Sequence, residues 1–261
     1  MSASTLRAGD WESARRRAFL AGLLPALVML GGITLLPALY LVVTSLTPLN
    51  LTNPDTFLDF SFPAANYQDL LEDERFRGSV VVQIHLSLVS VMLQLLIGLG
   101  VALLLNVRTA FMQAVRTGFL IPMVLPPIVV AVIWKVIYTP DVSPLHRTAA
   151  ALGFPFGSLI TDASTALWAV SVAETWQWFP FTMLMVLAAL QMIPDEPLEA
   201  ARIDGANRWQ LFHYVIFPYI RPALVVAGLF RLIDSFKAFP LIYVLTGGGP
   251  GNATKILPIY L

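Results

Sequence analysis

The chain has 261 residues, of which 57% are hydrophobic and only 12% are charged. A soluble domain carries about 25% charged residues, so this composition predicts a membrane protein. The 16 basic and 16 acidic residues balance, which argues against nucleic acid as a partner, and the absence of cysteine excludes disulfides, thiol nucleophiles and cysteine-ligated metals.

Apolar stretches dominate the chain, and each is long enough to cross a bilayer as a helix, which takes about 20 residues. In chain order they cover residues 18–46, 78–107, 111–138, 163–192 and 218–246. The first is longer than the core of a cleavable signal peptide, so we interpret it as a retained span. Prolines inside the stretches predict bent helices. The predicted fold class is an all-α polytopic membrane protein with five visible spans.

These stretches divide the chain into three parts. Residues 1–17 form an N-terminal segment, residues 18–77 a first span with its outer loop, and residues 78–261 a membrane core with a long loop at 191–218. The basic residues of the connections predict that the N-terminus is cytosolic. The inner connections then hold Arg7, Arg15, Arg16, Arg17, Arg108, Arg116, Arg202, Arg208 and Arg221, and the outer ones hold Arg75, Arg77, Arg147 and Lys255.

The loop at 191–218 predicts two short helices outside the bilayer. Asp195 is a candidate N-cap, Gly205 a helix stop, and Asn207 a cap for a second helix over residues 208–217. The small side chains of Ala200 and Ala201 would let another backbone approach closely, as in a helix that docks into a partner's groove. The alternative is an interfacial helix that lies on lipid.

The same loop carries a recognisable pattern. It contains Glu199-Ala200-Ala201, three residues, then Gly205, and nine residues later a short apolar run that ends in Pro218. This pattern resembles the EAA loop of ABC-importer permeases, and Asp204 also fits. Residues 119–140 and 230–254 are similar to the carbohydrate-uptake branch, the maltose and sugar or glycerol-phosphate permeases, except that Pro240 stands where that branch often has Asp.

The resemblance implies a type I ABC importer fold and a set of partners. A family permease pairs with a second permease, two cytosolic ATPase subunits and an external solute-binding protein. Residues 199–205 would be the coupling helix, and ATP and Mg²⁺ would bind the ATPases. This chain has no phosphate-loop motif ending in Gly-Lys and Ser or Thr, so we expect it to be no enzyme and to bind no cofactor itself. The family usually has a further span, and we expect that the sequence is truncated before it.

Polar residues inside the spans are candidates for the path of a solute. The fifth span has Arg231, Asp234 and Lys237 on one helical face, which indicates either a polar stripe along the path or an ion-pair network between helices. In the fourth span, Trp176, Gln177 and Trp178 could stack on and bond to a sugar ring. Their alternative is an aromatic belt with core packing.

Gln83, His85 and Gln94 are predicted to bond between helices, and Lys135 to extend towards the bilayer surface. A glycerol phosphate would favour a cationic path and a neutral sugar would favour aromatic faces. The sequence leaves both open.

The run TGGGPGNATK at residues 246–255 resembles a phosphate loop superficially. Asn252, Ala253 and Thr254 separate Gly251 from Lys255, and the predicted topology places the run outside, away from cytosolic ATP. We expect a flexible outer turn instead.

Two other classes compete with the importer permease. An ion-coupled secondary transporter would show an inverted internal repeat and intramembrane acids, and no such repeat is evident. A membrane enzyme needs a reactive constellation, but the three histidines are scattered and make no metal-ligand spacing.

Overall fold

The computed structural model describes residues 8–49, 56–57, 59–107, 109–140 and 142–261. These residues form helices, with no β-strand among them, which confirms the predicted all-α class. Their contacts divide the chain into two units, Met1–Asp73 and Glu74–Leu261. The predicted orientation used Arg7 and Arg108, which lie outside the described residues, as do residues 1–6 of the predicted N-terminal segment.

The first unit contains α1 (Ala8–Ser45) and α2 (Ala65–Glu72). Apolar side chains are exposed all along the membrane part of α1, so this helix is suited to lipid rather than to a water-facing surface. The Asn66 side chain of α2 donates to the carbonyls of Ser45 and Thr47, at 3.0 and 2.8 Å, and the Ser45 hydroxyl bonds to the Tyr67 hydroxyl at 2.7 Å. The two bonds from Asn66 satisfy carbonyls at and just beyond the end of α1.

The second unit is built from eleven helices among its described residues. In chain order they are α3 (Glu74–Leu105), α4 (Ala110–Phe119), α5 (Ile121–Val124), α6 (Pro127–Tyr138), α7 (Pro144–Ala151), α8 (Ala163–Gln191), α9 (Asp195–Ile203), α10 (Arg208–Gln210), α11 (Phe217–Ser235), α12 (Phe239–Leu245) and α13 (Leu257–Tyr260). Helices α3 and α8 form the central pair, α11 packs on both, and α12 packs on α6.

Five spans were predicted, and the helices agree with that number. Three of the described helices are long and apolar enough to cross a membrane, and counting each of two bent pairs as one span brings the number to five. The fourth stretch corresponds to α8. Asp162 caps this helix by accepting bonds from the backbone N–H and the hydroxyl of Ser164, which lower the pKa of the Asp162 carboxyl.

Close approach of α3 and α8 depends on small residues. A Cβ atom added to Gly98 would lie 2.6 Å from the Cβ of Thr182, so α8 passes directly over the bare backbone of α3. Ala102 of α3 and Ala166 and Ala173 of α8 are fully buried. Small side chains of this kind allow membrane helices to pack closely.

The third predicted span is broken rather than merely bent. Helices α4 and α5 end before Leu125, and α6 starts at Pro127 at an angle of 96° to them. Pro126 and Pro127 have no N–H to donate, and Leu125 adopts the extended conformation that a following proline favours (φ −71°, ψ 138°).

The boundaries of the fifth span also differ from those predicted. The helix continues through Pro218. It runs from Arg208 to Ser235 and consists of α10, a π-helical segment (Leu211–Ile216) and α11. Asn207 starts it with a capping box, as predicted for the second loop helix. The helix stops at Ser235, and the predicted end of the span forms the separate helix α12.

The glycine-rich run after α12 is closed by hydrogen bonds, contrary to the expected flexible turn. The hydroxyls of Thr246 and Thr254 lie 2.7 Å apart, and Thr254 donates to the carbonyl of Gly249 at 2.8 Å. Gly248 has a φ of +90°, which an L side chain adopts only with strain. The run is therefore a turn closed by hydrogen bonds, in which Thr254 is fully buried.

Candidate functional site

A pocket of about 230 Å³ with charged residues in its wall lies between α6, α8, α11 and α12. Its wall combines charged, amide, aromatic and apolar side chains from these helices and from the turn after α11. They are Pro127, Glu174, Gln177, Trp178, Arg231, Asp234, Lys237, Ala238, Pro240 and Leu241. Five of the six residues predicted for a solute path therefore meet at one pocket.

Arg231 is the centre of the polar network. Its Nη2 lies 3.0 Å from Glu174 Oε1, and both side chains are almost fully buried. Its Nε donates to Gln94 Oε1 at 2.8 Å, and its guanidinium carbon lies 4.3 Å from the centre of the Trp178 ring. The ion pair, the amide bond and the cation–π contact together compensate for burying a charge in an apolar environment.

Asp234 and Lys237 bring charge to the accessible part of the pocket. Arg231 Nη1 donates to Asp234 Oδ2 at 3.3 Å, so the predicted pairing along the fifth span is present for these two residues. The Asp234 side chain is still 50% exposed. Lys237 lies in the turn that follows α11, and it is exposed and makes no ion pair with the residues that the structure describes.

Gln177 joins the pocket to the break in the third span. Its Nε2 donates to the carbonyl of Leu125 at 3.2 Å, which would otherwise lack a partner because the chain leaves the helix there. Its Oε1 is buried and has no hydrogen-bond partner among the described residues. The side chain of Gln177 therefore ties α8 to the break in the third span from a fully buried position in the pocket wall.

Trp176 does not line this pocket. It is half-buried against the apolar core, with its ring 5.8 Å from that of Trp134 in an edge-to-face contact. Core packing, the alternative considered for the tryptophans of the fourth span, describes Trp176, whereas Trp178 lies at the pocket.

Glu174 was not selected from the sequence, although it pairs with the central arginine. The signal was present, because a carboxylate inside an apolar span is costly unless it is paired. Gln94 was predicted to bond between helices, and it does so by accepting from Arg231. Gln83 likewise donates to the carbonyl of Ser235 at 3.2 Å.

Two further polar residues have different surroundings from those predicted. His85 is exposed and makes an edge-to-face contact with Trp168, at 5.6 Å between ring centres. Lys135 donates to the carbonyl of Val244 in α12, at 3.3 Å, instead of reaching only for the bilayer surface. Among the described residues, no cluster of three or more His, Asp or Glu side chains could hold a metal ion.

The predicted coupling residues lie on and just after α9, which bends away from α8 by 75°. The helix starts at Asp195 with Pro194 in the N-cap position, so Asp195 is not the cap itself. Glu199, Ala200, Asp204 and Gly205 are exposed, and Ala201 is half-buried. Gly205 ends the helix with a φ of +78°, as expected for a helix stop, and no residue of α9 is buried.

Several apolar helices around a pocket with charged residues in its wall, with a short helix projecting from them, are typical of a multi-pass membrane protein of the transporter class. Residues 94–260 match the family model described as the binding-protein-dependent transport system inner membrane component. The chain belongs to this family, which confirms the resemblance found in the sequence.

Relatives with similar sequences are permease proteins of ABC transporters. The chain is 35% identical to a probable ABC transporter permease, y4oQ, of Sinorhizobium fredii over 86% of its own length and 72% of the relative's. It is 38% identical to the trehalose/maltose permease MalF of Thermococcus litoralis, over 74% and 66% of the two chains. It is 35% identical to the trehalose permease SugA of Mycobacterium tuberculosis, over 93% of this chain and 76% of the relative.

The fold matches that of a solved ABC importer. The crystal structure of a bacterial ABC transporter that imports alginate superposes with a TM-score of 0.76, over 96% of this chain and 85% of that chain, at 19% identity. At this level of identity the match establishes the fold, an ABC-importer transmembrane domain, and nothing about the solute.

Proposed function

We propose that this chain forms half of the translocation path of an ATP-driven importer for a sugar or related small solute. In this proposal α9 and Gly205 couple it to a separate cytosolic ATPase. The names of MalF and SugA support a sugar as the class of solute.

The observation that carries the proposal is the exposure of α9. This helix projects from the bundle, buries none of its residues, and leaves the Ile203 side chain 86% exposed. A short exposed helix that ends in an apolar side chain is suited to docking into a groove of another protein. The small side chain of Ala200 and the absence of a side chain at Gly205 permit another protein to approach this helix closely.

The pocket supplies a candidate solute site within the same chain. Trp178 offers an aromatic surface, and Asp234 and Lys237 offer exposed charged groups. A mixture of one aromatic surface and a few convergent polar groups is typical of sites for small polar ligands.

The proposed assembly contains more than this chain. A second permease completes the path, two ATPase subunits bind ATP and Mg²⁺, and a binding protein delivers the solute from outside. The basic residues of the connections support a cytosolic N-terminus and a multi-pass position in the inner membrane.

Co-isolation tests the coupling. An affinity-tagged chain, extracted from membranes with its partners in mild detergent, should retain an ATPase subunit, and uptake should require an intact ATP site in that subunit. Replacement of Ile203 with Glu should release the ATPase and abolish uptake.

The matched control is Leu152→Glu. Leu152 is another exposed apolar residue, 75% accessible at the end of α7, on the side predicted to face outside. This variant should retain the ATPase. Uptake that persists without any ATPase would overturn the proposal and favour an ion-coupled secondary transporter.

A further inference from the structure

Arg231 is the buried cation of the pocket, yet each of its three nitrogens already donates to a protein acceptor. Nε donates to Gln94, Nη1 to Asp234 and Nη2 to Glu174, while the face of the guanidinium lies against Trp178. A guanidinium that binds phosphate or carboxylate uses a free pair of parallel N–H groups. Here protein acceptors occupy both ends of that fork, and the side chain is only 2% exposed.

The charges around the pocket cancel. Its lining contains two acids, Glu174 and Asp234, and two bases, Arg231 and Lys237. Without Glu174 the same wall would be net positive, and an anion would be attracted to it. The position of Glu174 therefore decides the sign of the electrostatic potential at the site.

The accessible acceptor left for a ligand is the carboxylate of Asp234, whose side chain is half exposed. Hydroxyl groups can donate to this carboxylate. A phosphate or carboxylate brings acceptors only, so it would leave Asp234 unsatisfied and would be repelled by it.

We propose that Glu174 is a specificity-determining residue that makes the pocket select neutral polyhydroxyl solutes over anionic ones, because it neutralises Arg231. The proposal rests on the proposed function, in which this pocket holds the solute. It assigns Glu174 a role beyond stability, because the carboxylate of Glu174 cancels the positive charge of Arg231 at the site.

A pair of probes that differ by one phosphate tests the selection. Trehalose and trehalose 6-phosphate are titrated calorimetrically into the transporter purified with its partner subunits. The wild type should bind trehalose about tenfold or more tightly than trehalose 6-phosphate. Glu174→Gln keeps the shape of the side chain but not its charge. In this variant the ratio of the two affinities should shift by about tenfold in favour of trehalose 6-phosphate.

Two further variants keep the test decisive if Glu174→Gln does not assemble. Lys237→Gln removes an exposed cation without disturbing the buried network, and it should weaken trehalose 6-phosphate binding more than trehalose binding. The double variant Glu174→Gln with Arg231→Gln removes both buried charges and should restore the wild-type preference.

The outcomes separate the two proposals. A wild type that binds trehalose 6-phosphate as tightly as trehalose, or a ratio that is the same in the wild type, Glu174→Gln and Lys237→Gln, would overturn the role of Glu174. Binding of neither sugar, or trehalose binding that Asp234→Ala leaves unchanged, would instead overturn the assignment of this pocket as the solute site.

Discussion

Arg231 of α11 and Glu174 of α8 form an ion pair of 3.0 Å in which both side chains are almost completely buried. The pair links two membrane helices and defines one wall of the candidate pocket. Its partners Gln94 and Asp234 extend it into a network that involves α3 as well. This network holds in place the part of α11 that precedes the break after Ser235.

Removing one member of this pair should destabilise the protein. Arg231→Met leaves the Glu174 carboxylate buried without its partner, at an expected cost of about 3–5 kcal/mol in the free energy of unfolding. Thermal unfolding of the purified transporter, followed by the fluorescence of a thiol-independent dye, would measure the loss.

The control for this prediction is the surface pair Arg77–Glu74. Its atoms lie 4.0 Å apart and its side chains are 58% and 92% exposed, so Arg77→Met should cost less than about 1 kcal/mol. Equal effects of the two substitutions would contradict the structural role of the buried pair.

Gly98 should tolerate no side chain. An added Cβ would meet Thr182 Cβ at 2.6 Å, so Gly98→Ala should push α3 and α8 apart and cost about 1–3 kcal/mol. Gly100, two residues further along α3, has no atom within 4 Å of an added Cβ. Gly100→Ala should therefore leave the melting temperature of the transporter nearly unchanged, and a similar loss in both variants would contradict close packing at Gly98.

Gly205 offers a test that separates backbone strain from contact with a partner. Gly205 and Gly153 both have positive φ, +78° and +86°, and an added Cβ meets no atom within 4 Å at either position. Substitution by Trp costs similar backbone strain at both, about 1 kcal/mol.

If Gly205 approaches an ATPase, Gly205→Trp should reduce ATP-driven uptake at least about tenfold, which exceeds what this shared strain explains. Gly153→Trp should transport normally. Uptake and membrane insertion are measured in parallel, and normal uptake by inserted Gly205→Trp would disprove its place at the coupling contact.

Thr254 should hold the glycine-rich turn closed. Thr254→Val removes the bonds to Thr246 and to the Gly249 carbonyl at a fully buried position, which should cost about 1–3 kcal/mol. Thr161→Val is the control, because Thr161 is exposed and, among the residues that the structure describes, its hydroxyl bonds only to the nearby Ser158 carbonyl. Limited proteolysis should cut within residues 246–255 faster in Thr254→Val than in Thr161→Val or the wild type.

Local patterns in the sequence predicted several features well. The five apolar stretches correspond to helices or bent helix pairs, Asn207 caps its helix, and Gly205 ends α9. Hydrophobic length, capping chemistry and the freedom of glycine at positive φ act over a few neighbouring residues, so one sequence suffices to identify them.

The breaks in the spans were predicted less well. Pro126 and Pro127 indicated a bend, but not its angle of 96°. The hydrogen bond that satisfies the Leu125 carbonyl comes from Gln177, about 50 residues away in sequence, so local sequence does not predict it. Conversely, Pro218 looked like a boundary, whereas the helix passes through it after a π-helical segment.

The sequence by itself determined that this is an all-helical membrane protein, which stretches are apolar enough to span a membrane and which loop resembles a coupling loop. These properties follow from composition, spacing and local backbone preference. Only the tertiary structure decided which polar residues meet: it brought Glu174 and Gln94 to Arg231, placed Trp178 at the pocket and put Trp176 in the core. The physical reason is that pairing a buried charge depends on the packing of three helices that are distant in sequence, and helix packing fixes which face of each helix turns inward.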